Sequence, residues 1–71
     1  MVCDSADSIF KFLTEEGYQE VPVWTGKDDN SNYTLFANSK TGTWSIIQFD
    51  RDVACILGTG IQHKMVIQKF I

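Results

Sequence analysis

Apolar residues in this chain change period near residue 20. Over residues 4–17 they follow helical spacing: Ala6, Ile9, Phe10 and Leu13 line one face, with Lys11 and Glu15 four apart on the exposed side. Asp4, Ser5 and Asp7 are all capping residues of the right type, and their charge suits the positive end of a helix. Gly17 reads as the stop, in the left-handed conformation that glycine adopts freely. Phe12 falls off the main stripe.

Beyond residue 20 the period shortens to two. Residues 20–25 (EVPVWT) place Val21, Val23 and Thr25 on one face and Trp24 on the other. Pro22 cannot donate to a ladder, so this strand is expected at a sheet edge or bulged there. Residues 26–32 (GKDDNSN) form the clearest loop, followed by a strand over 33–38 and a turn, SKTG. Residues 43–49 and 53–57 flank the charged turn Asp50-Arg51-Asp52 and have the form of a β-hairpin. Residues 61–71 admit a strand with Ile61, His63, Met65, Ile67 and Ile71 on one face, or a weaker helix through Ile61, Met65 and Gln68. The β-branched residues favour the strand.

Closely spaced strands joined by turns predict a meander, not βαβ crossovers. The expected fold is α+β: one N-terminal helix on a four- to five-stranded antiparallel sheet, in one domain over residues 1–71. The strands are apolar on both sides, whereas one helix covers only one side. Trp24 is expected to point away from the helix, with either Trp44 and Ile46 or Ile47 and Phe49. Such a sheet either curls into a half-barrel or is covered by a second copy.

Size and charge narrow the functions. A chain of 71 residues buries only about 60% of the surface it exposes when unfolded. Its nine aromatics supply a compact core and leave rings over for an interface. Net charge is −3, and the six Lys and Arg residues are scattered, which argues against nucleic acid as a partner. An aromatic platform for bases would interleave rings with cations, and the strands carry none at their centres. No basic-then-apolar leader opens the chain, and no apolar run reaches the roughly 20 residues that cross a bilayer. A cytoplasmic protein with Cys3 and Cys55 both reduced is the resulting expectation, without a membrane partner.

Candidate chemistry is sparse. Asp28, Asn30 and Asn32 match the first calcium-loop positions, but Tyr33 and Ser39 stand where the required Gly and Glu would be. Gly58-Thr59-Gly60 lacks the third glycine of a dinucleotide loop and reads as a turn or bulge. His63, Cys3 and Cys55 offer no close ligand pair, so no metal and no cofactor are expected. Cys55 reads as a small core residue in mid-strand. No catalytic residue set emerges.

Phe36-Ala37-Asn38, then Thr41-Gly42-Thr43-Trp44-Ser45-Ile46, then Ala54-Cys55-Ile56-Leu57 with Gly60, resemble small uncharacterised bacterial and phage proteins. These share an F-A-N-x-x-T-G-T-W-[ST]-I hairpin and an A-C-[LIV] strand. The resemblance spans roughly residues 20–60. It implies a phage or bacterial intracellular origin and carries no activity to transfer. The turn Asp50-Arg51-Asp52 replaces the relatives' Asp-Gly, and the tail is longer. The expected function is therefore a non-enzymatic interaction or accessory module. It would associate with itself or a protein partner through Trp24, Trp44, Ile46, Phe49 and His63. The alternative is a small-molecule site or simple enzyme with Trp24, Trp44, Cys55 and His63 around one cavity.

Overall fold

The computed structural model describes residues 2–64 and Val66. A short strand β1 (Val2–Ser5) leads into helix α1 (Ala6–Lys11), which continues as a π-helical turn, Phe12–Glu16. Four strands follow: β2 (Val21–Lys27), β3 (Asn32–Ala37), β4 (Trp44–Phe49) and β5 (Val53–Gly60). They form one open sheet in the order β1-β5-β4-β3-β2, with every neighbouring pair antiparallel. Strands β1 and β2 lie at opposite edges, so the helix carries the chain across the sheet and covers one face on the way. The α+β meander expected from sequence is the observed fold. The sheet is open, with β1 and β2 at its two edges and no pairing between them.

Local chemistry explains the boundaries. Ser5 caps α1, its Oγ accepting from the Ser8 amide at 3.2 Å. Gly17 ends the helical segment, but at φ −100°. The left-handed residue is Gln19, at φ 52°. Gly17 serves close approach instead: its amide donates to the Phe12 carbonyl at 2.6 Å, and a Cβ would lie 2.9 Å from the Phe12 ring. The loop expected over 26–32 shrinks to a tight turn because Asp28 closes it. Its carboxylate accepts from the amides of Asn30 and Ser31 and from the Tyr33 hydroxyl, so the strands run on to Lys27 and Asn32. The Asn30 and Ser31 amides, then Tyr33, hold that carboxyl below its ordinary value, and the Val53 and Asp52 amides do the same for Asp50 in the next turn.

Pro22 behaves as its chemistry requires. It sits on an edge strand, and Val23 is bulged out between the pairs Pro22–Phe36 and Trp24–Leu35. The bulge turns Trp24 onto the same face as Val21, not the opposite one. A second irregularity leaves Leu57 unpaired between Ile47–Ile56 and Ile46–Gly58, so β5 runs through both glycines as a strand. Residues 61–64 are not a strand, and the rest of the tail expectation, at Met65 and 67–71, lies outside the described residues.

The core lies between helix and sheet. Ala6, Ile9 and Leu13 meet Phe36, Ile47 and Ala54, with Phe10, Phe49 and Ile56 packed around them. Phe10 stacks on Phe36 at 5.7 Å between centroids and meets Phe49 edge-on at 5.3 Å. Glu20 is also fully buried, its amide donating to the Leu13 carbonyl at 2.8 Å. Neither of its carboxylate oxygens meets a hydrogen-bond partner among the described residues. An unsatisfied buried polar group costs about 1–3 kcal/mol. Replacing Glu20 with Met, of similar volume, is therefore expected to raise the thermal midpoint by several degrees. A melt followed by far-UV circular dichroism checks this, and an unchanged or lower midpoint contradicts it.

Candidate functional site: the open face of the sheet

Cross-strand partners share a face, and the register therefore sorts every strand residue. Thr34, Phe36, Ser45, Ile47, Phe49, Ala54 and Ile56 face the helix. The opposite face is built in rows. Val21, Ala37, Trp44 and Gly60 form one; Trp24, Leu35, Ile46 and Gly58 form the next; Gly26, Tyr33, Gln48, Cys55 and Cys3 form the third. None of these positions holds Asp, Glu, Lys or Arg. Trp24 is 56% and Ile46 37% exposed, while Tyr33, Leu35 and Trp44 are half-buried.

Both indoles lie on glycines. A Cβ at Gly26 would come within 2.7 Å of the Trp24 ring, and one at Gly60 within 2.4 Å of the Trp44 Nε1. Only glycine leaves room for a ring to lie flat on the sheet at these two positions. Trp44 Nε1 also donates to the Gln62 carbonyl at 3.1 Å. His63 Nδ1 contacts the Gly42 carbonyl at 2.8 Å, so its proton sits on that nitrogen. These two bonds pin the segment after β5 against the β3–β4 turn. Trp44 and His63 thus have structural tasks there, whereas Trp24 and Ile46 are left uncommitted.

Of the residues expected at an interface, Trp24, Trp44 and Ile46 share the open face. Phe49 does not: it is in register with Ala54, under Phe10, on the helix side. His63 lies beyond the end of β4, beside Gly42. Tyr33 and Leu35 were not singled out from sequence, although the alternation Tyr33, Leu35, Ala37 against Thr34 and Phe36 marks them as one face.

The cysteines are joined. Cys3 of β1 pairs directly with Cys55 of β5, with Cα atoms 4.0 Å apart, in a disulfide. The expectation of two reduced thiols, and of Cys55 as a lone core residue, is overturned. Strand β1 is four exposed residues, too short to show a strand period, so nothing in the sequence placed Cys3 beside Cys55. The disulfide also removes the thiol from any cavity chemistry. Nor do Trp24, Trp44, Cys55 and His63 converge. Cys55 is level with Gln48 on β4 and His63 with Gly42, roughly 20 Å along the strand direction at about 3.4 Å per residue.

Two shallow depressions border the sheet. One of about 270 Å³ lies beside the disulfide, between Ser31, Gln48 and Val53. The other, about 260 Å³, is lined by Gln19, Val21, Asn38 and Lys40. Both fall under the roughly 300–1,000 Å³ of small-molecule sites. Among the described residues no group of three or more His, Cys, Asp and Glu side chains is placed to share a metal ion. No helix among them is long and apolar enough to cross a membrane. Compared with known proteins, the chain matches no family model, no curated protein and no solved structure.

Proposed function

We propose that this chain is a non-enzymatic interaction module that binds a protein through the open face of its sheet. The observation that carries the reading is the pairing of exposed Trp24 and Ile46 on a face whose three rows, among the described residues, hold no charged side chain, opposite a face already filled by the helix. An exposed, contiguous apolar surface on a small domain marks a binding site. Tyr33, Leu35 and Trp44 extend it, and aromatic residues are the usual anchors of such sites.

The edges support the same reading by being poor alternatives. Edge strand β2 carries Pro22 and a bulge, and edge strand β1 has only four residues. Both features discourage strand addition, which leaves the face as the larger recognition surface. The resemblance to small bacterial and phage proteins is consistent with an accessory role of this kind.

The test compares two immobilised baits, the oxidised wild type and an Ile46→Lys variant, in bacterial lysate. Ile46 is partly exposed, so the variant is expected to fold, which circular dichroism checks. A protein retained by the wild type and lost with Ile46→Lys supports docking on this face. Identical retention by both baits, or none by either together with a monomeric chain, removes the reading.

A further inference from the structure

We infer that the Cys3–Cys55 bond is a thiol–disulfide exchange site for small neutral or cationic thiols, and that its reduction releases β1 from the edge of β5. Neither half depends on what occupies the open face.

The bond lies at the rim of the sheet. Cys3 is exposed on edge strand β1, and Cys55 is half-buried between β1 and β4, level with Gln48. Gln48 is held in place, its Nε2 donating to Ser31 Oγ at 2.8 Å. A depression of about 270 Å³ opens beside both cysteines and is lined by Ser31, Gln48, Asp50 and Val53. A thiol therefore reaches the bond without unfolding the chain, and exposed disulfides are the labile ones. Cys3, the more open partner, takes the attack.

A thiolate attacks Cys3 Sγ, the Cys3–Cys55 bond breaks, and its electron pair leaves on Cys55 Sγ. A second thiolate attacks the outer sulfur of the mixed disulfide and frees Cys3. Two thiols are thereby oxidised to one disulfide, and their two protons end on the two cysteines. Asp50 sets the class of thiol, because among the described residues no other charged side chain lines the depression. The Val53 and Asp52 amides hold its carboxyl below the ordinary value, so it is ionised at neutral pH. With a net charge of −3 on the chain, the local field repels anionic thiols and favours neutral or cationic ones.

Reduction acts on β1 because the bond is its main tie. None of its four residues is buried, and none belongs to the core. Its ladder runs to residues 53–56 of β5 alone. The release stops at the helix. Ser5 stays as the cap of α1, and Ala6 is buried in the core, its amide donating to the Asp52 carbonyl at 2.9 Å. Residues 2–4 then swing free from that pivot. The edge that β1 blunts becomes an open strand of eight residues, Val53–Gly60.

Two measurements on the full chain test this. Loss of the disulfide is followed by mass spectrometry with cysteamine, β-mercaptoethanol and mercaptoethanesulfonate at equal thiolate concentration. Each rate is divided by that of the same thiol on hydroxyethyl disulfide, which removes intrinsic nucleophilicity. The cationic thiol is expected to exceed the anionic one by about 5-fold in about 10 mM NaCl, and by less than about 2-fold in about 500 mM. Asp50→Asn keeps the acceptor oxygen of its turn and is expected to lose most of that preference. The wild-type rate is expected to stay flat in urea below the unfolding transition. A rate that climbs with urea shows reduction through unfolding and overturns the exchange site, as does equal reduction by all three thiols.

Nuclear magnetic resonance of the reduced chain at about 10 °C, close to the usual temperature of greatest stability, checks the release. The Cys3 and Asp4 amides are expected to show the heteronuclear NOE of a free terminus, while Leu35 and Ile46 stay as ordered as in the oxidised chain. Order kept at Cys3 and Asp4 overturns the release. Order lost at Leu35 and Ile46 as well makes the bond a staple of the whole fold, and overturns it too.

Discussion

Breaking the Cys3–Cys55 bond is expected to cost about 4 kcal/mol. The bond joins residues 52 apart in sequence, and closing a loop of that length removes roughly this much free energy from the unfolded ensemble. A domain of this size has a total stability of about 4–11 kcal/mol. The reduced protein therefore sits near its unfolding threshold at body temperature. At about 4–8 °C per kcal/mol, the thermal midpoint falls by some 15–30 °C. Strand β1 is the element most dependent on the bond. All four of its residues are exposed, and its ladder runs to β5 alone. Melting curves with and without a phosphine reductant, and of the Cys3→Ala/Cys55→Ala variant, check this. Agreement of all three midpoints within a few degrees would show that the bond contributes little.

Two neighbouring isoleucines provide the second test. Ile47→Ala is expected to destabilise by about 2–5 kcal/mol, whereas Ile46→Ala costs less than about 1 kcal/mol. Ile47 is wholly buried on the central strand, between the helix residues Ile9 and Leu13 and its cross-strand partners. Truncating it leaves a cavity that the close-packed core cannot fill. Ile46 points the other way and is 37% exposed, so its truncation removes little buried surface. Urea unfolding of the two variants measures the difference. Equal losses would mean that the open face is as tightly covered as the core.

Those two isoleucines also show how far the sequence could be read. The pattern Trp44-Ser45-Ile46-Ile47-Gln48-Phe49 identified a strand that is apolar on both sides, and it posed two alternatives for the open face. Which one holds depends on where α1 crosses the sheet, and that follows from the register of β4 with β3 and β5. Phe49 was misplaced for this reason: its phase along the strand was legible, but the side covered by the helix was not. Trp24 was assigned to the outer face while its relation to Val21 was reversed, because one bulged residue after Pro22 shifts the phase of everything beyond it.

The helix stripe Ala6, Ile9, Leu13, the edge position of Pro22, the turns and the antiparallel meander were determined by the sequence itself. Each depends on interactions within a few residues: helical spacing, a missing amide, a side chain bonding its own turn. The tertiary structure alone decided what joins distant segments. It set Cys3 beside Cys55, buried Glu20 beneath the helical segment, laid Trp24 and Trp44 on glycines and left Trp24, Leu35 and Ile46 on an uncharged face. These arrangements follow from strand order and register, which are set by the packing of the whole sheet and by no local stretch of chain.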